Sequence, residues 1–223
     1  GVHNALVKID GPEVPLLDGS SAPFVSQILA RGVRDLDAPV RSIRVLKPVT
    51  VTRGDASASL VPAKELEIDF EIDFEDEVIG QQSKHLNMAN GAFVRELCDS
   101  RTFCRKADID TMRARGLIVG GSVTSAVVVE DNVVVTPGGM RHSDEPVRHK
   151  MLDALGDLSL AGAPIMGRYI GHRSGHAMTN LLLRELFSDQ TNYELVECDT
   201  AMSSRLPGAG VDRTDSAQLA AVA

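Results

Sequence analysis

Residues 143–160 read SDEPVRHKMLDALGDLSL, and they predict the helix around which the fold is organised. Ser143 is a favourable N-cap residue, and Pro146 falls in the first turn, where its missing N–H costs nothing. At about 100° per residue, one face of this helix is apolar. The residues on that face are Val147, Met151, Ala154, Leu155 and Leu158. The face predicts packing against a core.

The other face of the same helix carries His149, Asp153 and Asp157, each about 40° round from the last. Contact with solvent is the ordinary interpretation of such a face. Exposed helix faces usually hold Glu, Lys, Gln and Arg, however, and this one also contains Gly156, which costs roughly 1 kcal/mol relative to alanine. His and Asp four residues apart lie about 5–6 Å apart at Cβ, which suits two ligands of one metal ion. We expect Gly156 to leave room for a close neighbour.

Composition excludes several classes of protein. The 223 residues suffice for one large or two small domains, and a net charge of −8 argues against a nucleic-acid surface. No apolar run approaches the roughly 18 residues of a membrane span. The three cysteines are odd in number and lack CxxC spacing, so neither a disulfide framework nor a thiolate zinc site is indicated. A reducing cytoplasm fits this pattern.

Hydrophobic periodicity and turn residues predict alternating strands and helices. The predicted helices cover Pro23–Arg31, Asn90–Asp99, Asp108–Arg115 and Gly175–Phe187, the last capped by Ser174. The predicted strands cover Ala5–Asp10, 41–54, Leu66–Phe74, Leu117–Val119, Val123–Glu130, Val133–Val135, Ile165–His172 and Tyr193–Cys198. From Ser203 onward we expect a loose tail.

The strand Leu66–Phe74 has the clearest pattern, because apolar residues alternate strictly with five acidic ones. Five acids could indicate a calcium site. Strict alternation instead spreads them along one face of a sheet, without the glycine-containing loop that gathers calcium ligands. The pattern therefore indicates one core face and one solvent face.

Several of these motifs resemble the bacterial UDP-3-O-acyl-N-acetylglucosamine deacetylases, which are zinc enzymes of lipid A biosynthesis. The resemblance rests on DEPVRHKMLDALGDL, SGHAMTNLLLREL, CDSRTFC, LIVGGS and PEVPLLDGSSAPF, and it extends from the first residue to about Asp199. It implies an α+β fold of two similar domains, each a sheet covered by helices. Residues 1–38 would then be a remnant of the first domain and 39–200 the second domain. A β-α-β insert at about 101–135 and a flexible tail at 201–223 complete the expected organisation.

The resemblance also implies the catalytic residues. In the family a zinc ion is held by two histidines and one aspartate. The resemblance places the second of these histidines at His149 and the aspartate at Asp153. The general acid falls on His176, supported by Asp157, and the hydroxyl that binds the developing oxyanion falls on Thr102. These roles imply hydrolysis of the N-acetyl group of the acylated UDP-sugar.

Substrate-binding positions follow in the same way. Lys150 and Arg173 would face the UDP-sugar, although the family usually has lysine at the latter, and Phe103 matches an aromatic residue of the site. Cys104 departs from the family pattern at the mouth of the acyl passage. The passage maps onto Ile109, Ile118, Ala126 and Val128, for which plain sheet core is the alternative interpretation. We expect a monomer whose partner is this substrate.

The family's first zinc histidine and its glutamate base form a Glu-His pair that we expect to precede Gly1. His85 in KHLNMAN resembles that motif, but Lys84 stands where the glutamate belongs, so we interpret it as a false match. We interpret the remaining histidines as ordinary polar residues; these are His3, His142 and His172.

With His149 and Asp153 as two of three ligands, we expect residues 1–223 to bind zinc weakly and to lack deacetylase activity. The alternative function is a non-catalytic module that binds acyl or nucleotide-sugar ligands. We also expect exposed apolar surface around Leu6, Leu16, Phe24 and Ile28.

Overall fold

A computed structural model describes residues 1–11, 14–114 and 124–215 of the chain. Within these ranges, seven strands form one sheet and three form a second, smaller one. The strands are β1 (Arg41–Val45), β2 (Val49–Arg53), β3 (Ala56–Val61), β4 (Leu66–Asp73), β5 (Gln81–Asn87), β6 (Phe103–Arg105), β7 (Val127–Glu130), β8 (Val133–Val134), β9 (Ile165–His172) and β10 (Tyr193–Glu197). The α-helices are α1 (Ala22–Arg31), α2 (Lys106–Ala114), α3 (Glu145–Leu158), α4 (His176–Ser188) and α5 (Thr200–Ser203). The predicted α+β class is confirmed.

Strand β9 is the centre of the large sheet. Its first residues pair with β1 in parallel, and the rest pairs with β4 in parallel and with β3 antiparallel. Antiparallel partners β10, β2 and β5 then extend the sheet from β1, β3 and β4. The core-facing residues of β9, Ile165 and Tyr169, are buried, as is Met166, whereas Arg168 and Ile170 lie on the other face and are partly exposed.

Helices α3 and α4 pack against each other and against this sheet, α3 over β4 and β5 and α4 over β2 and β3. The apolar face predicted for α3 is the face that packs, since Val147 and Met151 are fully buried. Strand β4 alternates as predicted, with Ile68 and Phe70 in the core and its acidic residues on the opposite face. The core therefore lies between the two helices and the large sheet.

The smaller sheet joins β6 and β7 in parallel through α2, and β8 continues it antiparallel. This is a β-α-β unit within the region that the sequence marks as an insert. Position 118, one of the four residues assigned to the acyl passage, lies outside the described residues, as do the predicted strand Leu117–Val119 and the start of Val123–Glu130.

Several local predictions are wrong. Ala5–Asp10 forms no strand, because no other described strand pairs with it. The helix predicted at Asn90–Asp99 is a π-helical turn at Phe93–Leu97, and β5 was missed because its polar residues alternate without a strongly apolar face.

Both predicted helix caps are also wrong. Asp144, not Ser143, is the N-cap of α3, and its carboxylate bonds to Lys84 and Arg148 rather than to the helix backbone. The Ser174 hydroxyl bonds to buried Tyr169, and α4 begins after Gly175. In both cases the side chain bonds to other side chains instead of capping the helix backbone.

The C-terminal residues make specific contacts as far as the structure describes them. Leu206 is buried, and the carboxylate of Asp215 accepts from Arg95, which also donates to the Gly210 carbonyl. The flexibility expected of this segment stays a prediction. Among the described residues, no helix combines the length and apolar character needed to cross a bilayer.

Candidate active site

His149 is nine-tenths buried on the polar face of α3, and its two ring nitrogens have different partners. Nδ1 lies 3.0 Å from the backbone carbonyl of Ser100, which can only accept, so Nδ1 carries the proton. Nε2 lies 3.3 Å from Oδ1 of Asp153. In the neutral ring, Nε2 therefore presents its lone pair to a carboxylate oxygen. Two such acceptors favour a proton or a metal cation between them.

The second oxygen of Asp153 is also engaged, because Lys150 Nζ lies 2.9 Å from Oδ2. Burial raises the pKa of Asp153, but the neighbouring His149 and Lys150 outweigh burial and lower it to about 2. The carboxylate is thus held ionised in a largely buried position. An ionised carboxylate beside an imidazole nitrogen is a suitable pair of zinc ligands.

His176 is the first residue of α4, and its side chain is 70% exposed. Its Nδ1 lies 3.0 Å from both carboxylate oxygens of Asp157, which stands one turn beyond Asp153 on α3. Because the carboxylate accepts, Nδ1 carries a proton and Nε2 is the nitrogen available for proton exchange. Asp157 also offsets the positive end of the α4 dipole, which disfavours an imidazolium at this place.

The start of α4, which carries His176, lies close to the polar face of α3, which carries His149. A Cβ built on Gly175, at the start of α4, would lie 3.9 Å from Lys150 Nζ, the group that contacts Asp153. The polar face of α3 and the beginning of α4 therefore meet around Lys150. The convergence of His149 and His176 on one cleft is supported by this contact and stays a prediction.

Thr102 lies in the segment that contacts His149. Its N–H donates to the Gly19 carbonyl at 3.0 Å, and its carbonyl accepts from Val127 at 2.7 Å. The backbone of Thr102 is thereby fixed between the N-terminal segment and β7, two residues from the Ser100 carbonyl that accepts from His149. The role of the Thr102 hydroxyl as a donor to a developing oxyanion stays a prediction.

The model of the UDP-3-O-acyl N-acetylglycosamine deacetylase family matches residues 1–188. The chain belongs to this deacetylase family. Proteins named UDP-3-O-acyl-N-acetylglucosamine deacetylase are 40% identical over 215 residues in Shewanella frigidimarina and 41% over 202 in Shewanella violacea. A third, from Myxococcus xanthus, is 43% identical over 196 residues.

These matches cover 94, 90 and 88% of the chain, and 70, 66 and 62% of the three relatives respectively. The chain thus spans about two thirds of the length of the deacetylases that it resembles.

The described residues contain no group of three or more His, Cys, Asp or Glu side chains arranged to hold a metal ion. His149 and Asp153 fit a zinc ion as two ligands, whereas hydrolytic zinc sites of proteins have three. His85 does not complete the set. It contacts Asp69, and its neighbour Lys84 contacts α3, so strand alternation points His85 to the other face of the sheet.

Arg173 lies beyond the end of β9, and its guanidinium contacts the carboxylate of Asp73 and lies 3.8 Å from that of Asp55. It thus contacts carboxylates of the sheet, while Lys150 contacts Asp153 of α3. Phe103 packs edge-to-face on Phe74, with ring centroids 5.3 Å apart. The substrate-binding roles of these residues stay predictions.

In the insert, Val128 is fully buried and Ala126 nearly so, whereas Ile109 on α2 is half-buried. Buried sheet positions of this kind fit the sheet-core alternative as well as the wall of an apolar passage. The expectation for Gly156 is wrong, because no described atom lies within 4 Å of a Cβ built there.

Sequence reasoning missed an ion pair beside the site. Glu145, fully buried, pairs with Arg101, which is 6% exposed. Glu145 lies in the first turn of α3, where an acidic residue is ordinarily explained by the helix dipole. A signal was available, because CDSRTFC and DEPVRHK are both family motifs, and each supplies one member of the pair.

Proposed function

We propose that the chain carries the zinc-dependent deacetylase chemistry of its family, which hydrolyses the N-acetyl group of UDP-3-O-acyl-N-acetylglucosamine in lipid A biosynthesis. The weak zinc binding and the lack of turnover expected of residues 1–223 alone stay predictions, which the assay below tests. The observation that supports this proposal most is the row of His149, Asp153 and Asp157 on α3, with His176 bonded to Asp157. His149 and Asp153 are the pair of metal ligands in this row, and His176 is the proton donor that Asp157 supports. Metal-assisted hydrolysis of an amide requires both a ligand set and a proton donor.

His149 and Asp153 would hold the zinc ion. When bound, zinc supplies Lewis acidity and lowers the pKa of water. The chain's own residues supply the remaining steps. Water adds to the N-acetyl carbonyl carbon and loses one proton to solvent, the Thr102 hydroxyl donates to the oxyanion, and the C–N bond breaks. The leaving nitrogen takes the proton held at Nε2 of His176, so the products are acetate and the free amine.

Lys150 and Arg173 supply positive charge for the UDP group in this proposal, and the insert contributes apolar surface for the acyl chain. All three cysteines are free, which fits the reducing bacterial cytoplasm that we propose as its location. We propose a monomer.

A second candidate is a non-catalytic module that binds the same acylated nucleotide sugar. It is favoured by one observation, the two-ligand metal set found among the described residues. This module would bind acyl or nucleotide-sugar ligands through Lys150, Arg173 and the β-α-β insert, and it would lack turnover.

The test measures acetate release and, separately, calorimetric binding of UDP-3-O-acyl-N-acetylglucosamine by the purified chain. Turnover that a chelator abolishes, and that His176→Ala lowers about 10²–10⁴-fold with zinc content unchanged, supports the enzyme. Binding without turnover supports the second candidate. Absence of both contradicts both candidates.

The matched control is His172→Ala. His172 is also an exposed histidine beside a carboxylate, with Nδ1 3.5 Å from Glu71, but it lies in the large sheet, away from α3. We expect this variant to keep the wild-type turnover and binding. A loss as large as that of His176→Ala would show that the assay reports folding rather than proton donation.

A further inference from the structure

The Glu145 carboxylate accepts hydrogen bonds from backbone groups as well as from its ion-pair partner Arg101. The Glu145 carboxylate accepts from Nε of Arg101 at 2.9 Å and from its Nη2 at 3.1 Å. It also accepts from two backbone N–H groups, those of Arg101 at 2.9 Å and Arg141 at 2.6 Å. Burial raises the pKa of Glu145, but these donors outweigh burial and lower it. One ionised carboxylate thus joins the start of α3 to two separate loops.

The loop it joins most closely is the segment Asp99–Thr102. The Asp99 carbonyl accepts from Arg141 at 2.7 Å, and its carboxylate contacts His142 at 2.9 Å. The Ser100 carbonyl accepts from His149. Every residue of this segment is therefore bonded to a neighbouring element.

The Ser100 carbonyl is the critical group, because it determines which nitrogen of His149 carries the proton. The Ser100 hydroxyl is buried and has no hydrogen-bond partner in the described chain, so its contribution to His149 comes from the backbone. The position of a backbone carbonyl depends on the peptide units beside it, and the next residue is Arg101.

We infer that Glu145 and Arg101 are positioning residues, which hold the Ser100 carbonyl against His149 Nδ1 and fix the Thr102 hydroxyl beside the cleft. The inference rests on the proposed function in assigning ligand and oxyanion roles to His149 and Thr102. The fixed tautomer of His149 is independent of that assignment.

Stability alone does not require this pair. A buried ion pair replaced by apolar residues of similar volume is often neutral or stabilising, because desolvation offsets the attraction between the charges. No apolar residue can accept from the N–H groups of Arg101 and Arg141, however. Stabilisation of the fold and positioning of residues 100–102 can therefore be tested separately. Apolar replacement of the pair can restore stability, but it cannot restore the position of residues 100–102.

The experiment records the imidazole nitrogens of His149 by NMR in ¹⁵N-histidine-labelled full chain, with the signal assigned by its loss in His149→Gln. We expect an Nδ1–H tautomer in the wild type and a mixture of tautomers in Glu145→Gln. Arg101→Lys, which keeps the charge but loses the two-pronged contact, should shift the tautomer less. Zinc affinity, measured by competition with a chromophoric chelator, should fall roughly 10–100-fold in Glu145→Gln.

Two further variants separate positioning from stability. Leu186→Ala removes a fully buried side chain of α4 and should lower the melting temperature with no change in tautomer. The double variant Arg101→Met with Glu145→Met should regain melting temperature relative to Glu145→Gln and still show mixed tautomers.

The inference is overturned if Glu145→Gln keeps the Nδ1–H tautomer, if Leu186→Ala loses it, or if the double variant restores it. If the wild type shows the tautomer but binds no zinc, the proposed function fails and the positioning role stands. The two failures are thus distinguishable.

Discussion

Among the described residues, most apolar side chains of residues 1–36 are exposed, whereas most of those in residues 41–197 are buried or half-buried. Leu6 is 83% exposed and Val33 66%, whereas Ile68 and Leu182 are fully buried. The exposure expected for the N-terminal apolar residues is confirmed. In the second region, strands and helices supply each other with apolar faces. Burial is therefore decided by the presence of a partner surface rather than by the apolar residue itself.

One part of the N-terminal region does not follow this contrast. Ser20 and Ala22 are buried, Asp18 pairs with Arg141 at 2.8 Å, and the Gly19 carbonyl accepts from Thr102. These are polar and small residues. Residues 18–22 join the packed region through hydrogen bonds, and they do so beside the candidate site.

The comparison predicts its largest effect for leucine truncation. Leu182→Ala should lower the free energy of unfolding by about 2–5 kcal/mol, because it leaves a cavity between α4 and the sheet. Leu6→Ala should change it by no more than about 0.5 kcal/mol. Urea unfolding followed by circular dichroism measures both. Equal losses of unfolding free energy in the two variants would show that Leu6 is packed in solution. The two regions would then not differ in the burial of their leucines.

A smaller effect on the free energy of unfolding is expected at residues 18–22, the part of the N-terminal region that contacts the packed region. Substitution of Gly19 tests these contacts. Gly19 has a φ of +83°, and a Cβ there would lie 1.9 Å from the Ser125 carbonyl oxygen. A left-handed φ alone costs a residue with a Cβ about 1–2 kcal/mol. Because of the added clash, Gly19→Ala should lower the free energy of unfolding by more than this amount. Gly11→Ala is the control, since nothing lies within 4 Å of its Cβ, and it should be neutral. A neutral Gly19→Ala would mean that residues 18–22 are not docked.

Much of the packed region could be predicted from sequence, because its elements have strong periodicity. Strand β9 has the predicted bounds, and β4 and α3 bury their predicted faces. Strand Ala5–Asp10 failed for the opposite reason. Its local pattern is that of a strand, but a strand needs a neighbour, and local sequence does not report one.

The site was predictable only in part. The spacing of His149, Asp153 and Asp157 places them on one helix face, and the structure joins His149 to Asp153 as that spacing suggests. Spacing cannot reveal contacts between distant segments. The Ser100 carbonyl reaches His149 across 49 positions, and a backbone acceptor has no signature in sequence. The pairing of Arg101 with Glu145 across 44 positions was missed as well, although each residue lies in a family motif.

Acid pH should weaken the packed region gradually through Glu145. Its pKa is lowered in the folded chain, so its contribution to stability is complete above the unfolded value of about 4.3 and is lost as pH falls through the folded value. Urea midpoints of the wild type and Glu145→Gln should therefore differ at pH 7, and the difference should narrow as the pH falls below about 4.3, since protonated glutamate resembles glutamine in charge. A gap that stays constant with pH would contradict an ionised Glu145.

The smallest change in stability is expected at the outer face of α1, where the contrast between the two regions can be tested without unfolding the chain. Phe24 is 36% exposed and Ile28 44%, while Ala22 on the same helix is buried. Phe24→Ser with Ile28→Ser removes apolar surface that already contacts water. We therefore expect the free energy of unfolding to change by no more than about 0.5 kcal/mol per site. Binding of an apolar dye by the folded chain should fall, because exposed apolar patches bind such dyes.

The exposed pair Thr50 and Ser59 on β2 and β3 offers the control, since changing both to alanine alters a surface without removing apolar area. A loss of stability comparable to that of Leu182→Ala would show that α1 buries this face in solution. Residues 1–36 would then belong to the packed region.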